Sequence, residues 1–429
     1  MEIAESIEPE TFIAVSRMAR CINAIFKVHI NSPMRNSLLI LFLFACQISC
    51  QTKKSKEGID QTFYIDLSEP VIKKNPIEEC IEDLQFVPLE TNSNCYISTF
   101  SKYNLNKDFI VIYADATIHL FARNGRHIKS FNHRGKGPGE YGRLSNIDLI
   151  PERNEIMGVD TDQRKILCYD LDGKLTREIK TVAMPFYAVP LEGGLFAYYL
   201  SRLANSGQVG PDFHLVEIIN LDGKILSKRL PYQFQLDNDG GFTVSKSGEN
   251  GIYFINPSFS YSIYQIGPGD QFFKKYDFSF GTYNIDTALL NNEKVQSGAK
   301  LSLAFNDKKK NLEYLAVTTN TISFWGPVIR NKIQFGTRQI NRHTGNIRFI
   351  EVDSSNNSIN YSGIPLEFPR KSTGDYFIIT ISAIDLLEAI RKLSSEQKKQ
   401  LAKCKGFDRL PALKEDDNPV LVLYKVKNF

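Results

Sequence analysis

The feature that most constrains this chain is a turn glycine that returns at a near-constant interval. Gly125, Gly173, Gly223, Gly269 and Gly345 stand 48, 50, 46 and 76 residues apart, and the first three follow Asn124, Asp172 and Asp222. An Asn-Gly or Asp-Gly pair supplies the positive φ that a tight hairpin turn needs. The flanking text recurs with it. One copy reads Asn154–Asp160, Lys165–Asp170, the turn at Asp172-Gly173, and Leu175–Ile179. Upstream lie Phe109–Asp115, Ile118–Phe121, Asn124-Gly125 and Ile128–Phe131; downstream lie Leu195–Tyr199, His214–Ile219, Asp222-Gly223 and Ile225-Leu226. Two weaker copies run through Gly251–Ile255 with Ser262–Ile266, and through Thr321–Trp325, Lys332–Phe335 and Thr344–Ile347. The abundance of 29 Phe and 19 Tyr against one Trp suits this reading, because such rings pack well on pleated strands.

Strand, hairpin and strand at a period of roughly 40–50 residues is the signature of propeller blades, four-stranded sheets that cannot bury their faces alone. A sixth unit is read from Gly363–Phe368 with Tyr376–Thr380. The long glycine spacing holds an insert, Thr287–Lys310, expected to be helical or a flexible cap. Residues 384–403 carry apolar side chains at helical spacing, so one C-terminal helix is expected, followed by a strand over Pro419–Val426. About 380 residues follow Cys50, which six blades, the insert and the helix consume. The expected fold is an all-β, six-bladed β-propeller over residues 62–429. A ring must close, since an open edge pairs with other chains. Thr62–Leu67 is expected to share a blade with the terminal strand.

Ahead of the repeats, Met34–Ser37 gives one positive charge and Leu38–Ala45 is unbroken apolar, with Cys46 and Cys50 behind it. A charged start, a short apolar core and a small residue before the cut make a secretory signal too short to span a bilayer. A cysteine at the cut matches a bacterial lipoprotein signal, in which several acyl chains together anchor stably. Leu43–Cys46 fits the usual pattern at its apolar and small positions. Cys50 has the small Ser49 before it and the polar stretch Gln51–Lys56 after it, as a tether requires. Cys50 is the preferred lipidation site and Cys46 the alternative. The expected organisation is a spurious extension over 1–33, a signal peptide over 34–50, a tether over 51–61 and then the propeller. The rival for 1–33 is a genuine extension with Phe12–Val28 as an amphipathic helix.

The formal charge of +4 and the lack of a basic stripe interleaved with aromatics give no support to nucleic-acid binding. Lys308–Lys310 reads as a solvated loop. Cys80, Cys95, Cys168 and Cys404 have no CxxC spacing, and the histidines show no HxH or HExxH pattern, so neither a metal nor another cofactor is expected. Cys80 and Cys95 are open to two readings, a disulfide or buried free thiols.

The loop Gly135-Lys136-Gly137-Pro138-Gly139-Glu140-Tyr141, with Phe131–Arg134 before it, resembles the six-bladed β-propeller lipoprotein family common in Bacteroidota, itself distantly similar to NHL-repeat and TolB-like propellers. Phe86–Thr91, the Asp172-Gly173 blade and the ending Glu415–Val422 carry the same resemblance, which covers roughly residues 60–429. It implies the fold and a cell-envelope location as an outer-membrane lipoprotein, and it implies no activity. The glycine loop lacks the Gly-Lys-Ser/Thr ending of a phosphate cradle. Its glycines and proline suit a compact crossing between blades. If a ligand binds, His133, Arg134, Glu140 and Tyr141 are the first candidates. Asp115 and Asp160 end equivalent strands and read as caps, with cation binding the rarer use.

No GxSxG elbow is present. The leading function is a non-enzymatic binding module, held at the membrane by lipid and presenting a propeller face to a glycan, peptide or protein partner. The alternative is a carbohydrate-active hydrolase or lyase using scattered residues at the channel mouth. Fractionation tests the anchor: Cys50→Ala is expected to move the protein from the membrane to the soluble envelope fraction. Release by Cys46→Ala and not by Cys50→Ala would move the site to Cys46.

Overall fold

The computed structural model describes residues 62–68, 75–97, 102–201, 205, 212–232, 242–247, 251–257, 260–281, 284, 313–325, 336–351, 359–369 and 371–429. The expected segments 1–33, 34–50 and 51–61 and the insert Thr287–Lys310 lie outside them. Six blades of antiparallel strands are formed, as the repeat implies. Counted outward from the channel, blade one is Lys102–Leu105, Phe109–Ala114, Thr117–Ala122 and His127–Phe131. Blade two is Leu144–Ile150, Glu155–Asp160, Lys165–Asp170 and Leu175–Lys180; blade three is Pro185–Leu191, Leu195–Leu200, His214–Ile219 and Ile225–Pro231. Blade four is Phe242–Ser247, Ile252–Pro257, Ser262–Ile266 and Phe272–Ser279, and blade five is Glu313–Val317, Thr321–Trp325, Gly336–Asn341 and Ile347–Glu351.

Blade six breaks the pattern. Its inner strands, Lys371–Thr373, Tyr376–Ile381 and Val420–Val426, come from the C-terminal region, while its outer strand, Ile81–Pro88, comes from ahead of blade one. The pairing runs from Ile81 opposite Val426 to Pro88 opposite Val420. This corrects the expected partner of the terminal strand. Ile81–Pro88 has eight residues and buries Leu84, Phe86 and Val87, so it can fill a place between a neighbouring blade and the solvent. Phe63–Asp66 has four residues with Phe63 and Tyr64 exposed, which suits only an added edge. It pairs in parallel with Phe272–Ser279 as a fifth strand on blade four. Further along the chain, Asn75 donates its backbone N–H to the Phe349 carbonyl of blade five at 2.9 Å. Phe63–Asp66, Asn75 and Ile81–Pro88 thus contact blades four, five and six in turn.

Asn418 fastens the closure. Fully buried, its side-chain oxygen accepts the Ile97 N–H at 2.7 Å, its amide donates to the Glu90 carbonyl at 2.8 Å, and its backbone N–H donates to Thr91 Oγ1 at 2.8 Å. One amide therefore satisfies backbone groups that would otherwise be buried without partners.

The other corrections are local. Ile359–Tyr361 and Ile364–Leu366 form a separate hairpin, not strands of the sixth blade, because blade six already has its four. The C-terminal helical region divides into Ala383–Lys392 and Ser395–Leu401, where Ser394 and Gln397 build a capping box that restarts the helix. Both are inserted between Ile381 and Val420, and Leu386 and Leu401 bury against blade six. In blade five the described third strand is Gly336–Asn341, and Lys332–Phe335 lies outside the described residues.

Apolar clusters sit between neighbouring blades, as between blades one and two (Val111, Leu120, Ile147, Leu167) and between six and one (Ile110, Ile112, Ile378, Leu423). Middle strands are covered on both faces and read as unbroken apolar runs, such as Phe109–Ala114. Outer strands such as Ile225–Pro231 alternate, with one face in water.

The turn glycines serve two purposes. All five have positive φ. In blades one to three each also presses on the last residue of the preceding blade's outer strand. A Cβ on Gly125 would lie 2.1 Å from the Pro88 carbonyl oxygen, one on Gly173 2.7 Å from the Phe131 ring, and one on Gly223 2.7 Å from the Lys180 carbonyl oxygen. Around Gly345 nothing lies within 4 Å. Gly345→Ala is expected to cost about 1–2 kcal/mol from the left-handed backbone alone. Gly125→Ala is expected to cost about 1–3 kcal/mol beyond that, because the blade junction must spread. Chemical denaturation of the two variants checks this, and equal losses would remove the packing role.

Candidate functional site

Every inner strand begins on one side of the ring, where the crossings between blades and the turns between second and third strands also emerge. The loop from blade one to blade two is the most elaborate described crossing. Tyr141 and Arg134 form a bridge, with the Tyr141 N–H on the His133 carbonyl and the Gly135 N–H on the Tyr141 carbonyl, both at 2.9 Å. The Glu140 carboxylate folds back to accept the Gly137 N–H at 2.8 Å, and a Cβ on Gly135 would meet it at 1.9 Å. Blade two holds the loop from below. Gln163 donates to the Gly135 carbonyl at 2.9 Å, Tyr169 to the Gly139 carbonyl at 2.9 Å, and Glu178 accepts the Gly139 N–H at 2.7 Å.

The loop brings the four candidates together, each in a different setting. Tyr141 is buried, donates to the Ala116 carbonyl at 3.0 Å, and has its phenol pushed up to about 12 by burial. The His133 ring stacks on Tyr169 at 5.3 Å and its Nε2 meets the Gly173 carbonyl at 2.7 Å. Glu140 is spent on the loop's own backbone, and Arg134 stands exposed. Asp160, fully buried, accepts the Gly142 and Gln163 N–H groups at 2.7 and 2.9 Å, while Asp115 sits in a turn at positive φ.

A second arrangement lies at the centre of the same face. A cavity of about 390 Å³ is lined by Lys102, Tyr103, Asn146, Phe186, Glu367, Phe368 and Lys371, among others. Most of these come from the heads of the inner strands of blades one, two, three and six. Lys371 is half-buried; its ammonium donates to the Tyr103 carbonyl and lies 4.5 Å from the centre of the Tyr103 ring. Burial pushes this amine down to about 8, with Asp148 opposing and Lys102 adding to the shift. Phe186 is 47% exposed at the rim. Deeper in the channel Asp148 is fully buried, with Lys246 Nζ at 3.7 Å and the Tyr253 hydroxyl at 3.4 Å.

Sequence reasoning missed this mouth because no motif carries it. Its members stand singly or in adjacent pairs, up to 269 positions apart, several of them at the starts of short strands such as Lys102–Leu105 and Lys371–Thr373. The one signal was register, since each precedes a legible second strand by a few residues.

Among the described residues, no three His, Cys, Asp or Glu side chains converge as a cation site requires, and no helix is long and apolar enough to cross a membrane. Cys80, Cys95, Cys168 and Cys404 are free thiols, raised by burial. His119 is buried with Nδ1 on Ser130 Oγ at 2.8 Å and no partner for Nε2. Burial first, then the charge of His127, pushes it from 6.5 down to about 4. A depressed folded value means that the unfolded chain takes up the proton first, so stability is held above pH 6.5 and lost as pH falls towards 4. Denaturation midpoints between those pH values are expected to fall less steeply in His119→Gln, and an unchanged slope would clear His119 of the effect.

A family model described as a domain of unknown function (DUF4934) matches residues 62–425. No curated protein matches the sequence significantly. Among solved structures, a candidate exported protein from Bacteroides fragilis superposes with a TM-score of 0.64 at 17% identity, over 85% of this chain and 100% of that one. A member of the duf4221 family from Bacteroides vulgatus gives 0.44 at 11% identity, over 82% of this chain and 98% of its own. Virginiamycin B lyase from Staphylococcus aureus gives 0.36 at 12% identity, over 70% and 80%. The first likeness is one of fold, and the lower scores of the other two carry no argument.

Proposed function

This chain belongs to the DUF4934 family, and we propose that it is an exported, lipid-anchored binding module whose ligand docks at the channel mouth. The observation that carries the reading is the cavity of about 390 Å³, in which the rings of Tyr103, Phe186 and Phe368 line one opening with two ammonium groups. That volume falls in the range of small-ligand pockets, and a mixed aromatic and polar lining both attracts and orients. Ring faces of this kind suit the apolar faces of sugar rings, so a glycan is the favoured partner. Arg134 adds an exposed cation on the same side.

The test is binding of the purified protein to an array of oligosaccharides and short peptides, repeated with Phe186→Ala. The expected result is capture of sugars, weakened about tenfold or more in the variant, as for a truncated aromatic anchor. Its melting temperature should stay unchanged, because the ring is at the rim. Equal capture by both proteins would overturn the mouth as the site, and shorter products would point to a hydrolase or lyase.

A further inference from the structure

We propose that the ligand of this mouth is acidic, a sugar bearing a carboxylate or sulfate that Lys371 holds from below with Lys102 at the rim. The inference rests on the binding reading above and adds the charge of the ligand. Among the described residues, three charged side chains line the cavity: Lys102, Lys371 and Glu367. Among the described residues no carboxylate lies within ion-pair distance of either ammonium, Glu367 included. The nearest buried acid, Asp148, is already answered by Lys246 at 3.7 Å and by the N–H of Leu149 at 2.7 Å. Among the described residues the mouth therefore carries an excess of positive charge with no carboxylate paired to it.

Lys371 is also held in place. Its ammonium is fixed on the Tyr103 carbonyl and against the Tyr103 ring, which uses one of its three donors and leaves two for a guest. An ammonium taken partly out of water gains more from an anion than one on the surface, because screening is weaker there. The ring of Tyr103 and the exposed Phe186 then offer flat apolar contacts beside the charge. A charge beside ring faces matches an acidic sugar better than a bare inorganic anion.

Calorimetric titration with trigalacturonate, with its methyl ester and with a sulfated galactose trisaccharide tests this. The expected result is binding of at least one acidic sugar that weakens with added salt, with the ester about tenfold weaker than the free acid. Lys371→Met is expected to lose about tenfold on the acidic probe and little on neutral sugars. Lys102→Gln, a change at an exposed position that cannot disturb the core, is expected to lose a few-fold. The carboxylate and sulfate arms distinguish the two sources of the anion. Neutral sugars binding as tightly as acidic ones, or binding indifferent to both lysine changes, would overturn the inference while leaving the mouth as a sugar site. Failure of every sugar to bind would overturn both.

Discussion

The pairing of Ile81–Pro88 with Val420–Val426 is the constraint on which the rest of the structure depends. A blade has two apolar faces, and each is buried only by the blade beside it. Five blades in an arc would leave two such faces in water. The terminal strand lies between Tyr376–Ile381 and Ile81–Pro88, so a segment from ahead of blade one and the C-terminal strand meet in one sheet. The buried amide of Asn418 fixes the loop that leads from that sheet into blade one. Hydrophobic burial supplies the driving force, and these hydrogen bonds select the ring over competing compact forms.

The inner wall is asymmetric. Ser372 of blade six donates to the Lys246 carbonyl of blade four at 2.7 Å and sits 3.1 Å from Ser245 Oγ, so strands from non-adjacent blades meet directly. Ser245 also accepts the Val317 N–H of blade five at 2.8 Å. Three inner strands are drawn together on one side, and the room that remains is bounded mainly by blades one, two, three and six. Arg342 completes this side, reaching Tyr276, Ser247 and the carbonyls of Thr318 and Thr319.

Much of the fold was legible in the sequence because a turn at positive φ and an unbroken apolar strand both leave marks in residue type. Gly125, Gly173 and Gly223 mark outer hairpins, and Phe109–Ala114 marks a doubly covered strand. Inner strands leave no such mark. Leu144–Ile150 mixes Asn146 and Asp148 with apolar residues because one side faces the channel. The choice of closing segment failed for a related reason: Phe63–Asp66 looks as strand-like as Ile81–Pro88, and only burial of Leu84 and Phe86 separates a blade's own outer strand from an added edge. The glycine loop was legible as a feature, but its glycines answer to Glu140 and Glu178. The mouth was not legible, since Lys102, Phe186 and Lys371 become neighbours only once the ring is closed.

Closure by strands more than 300 positions apart in the sequence also orders events in time. A chain that emerges N-terminus first holds Ile81–Pro88 without its strand partner until residues near 426 have followed, so the last blade cannot assemble before then. Contacts of such sequence separation make folding slow, and the waiting strand is an exposed edge meanwhile. A protein built this way is held back from its final form by topology alone. That delay makes the blade that seals the ring the last part of the fold to form.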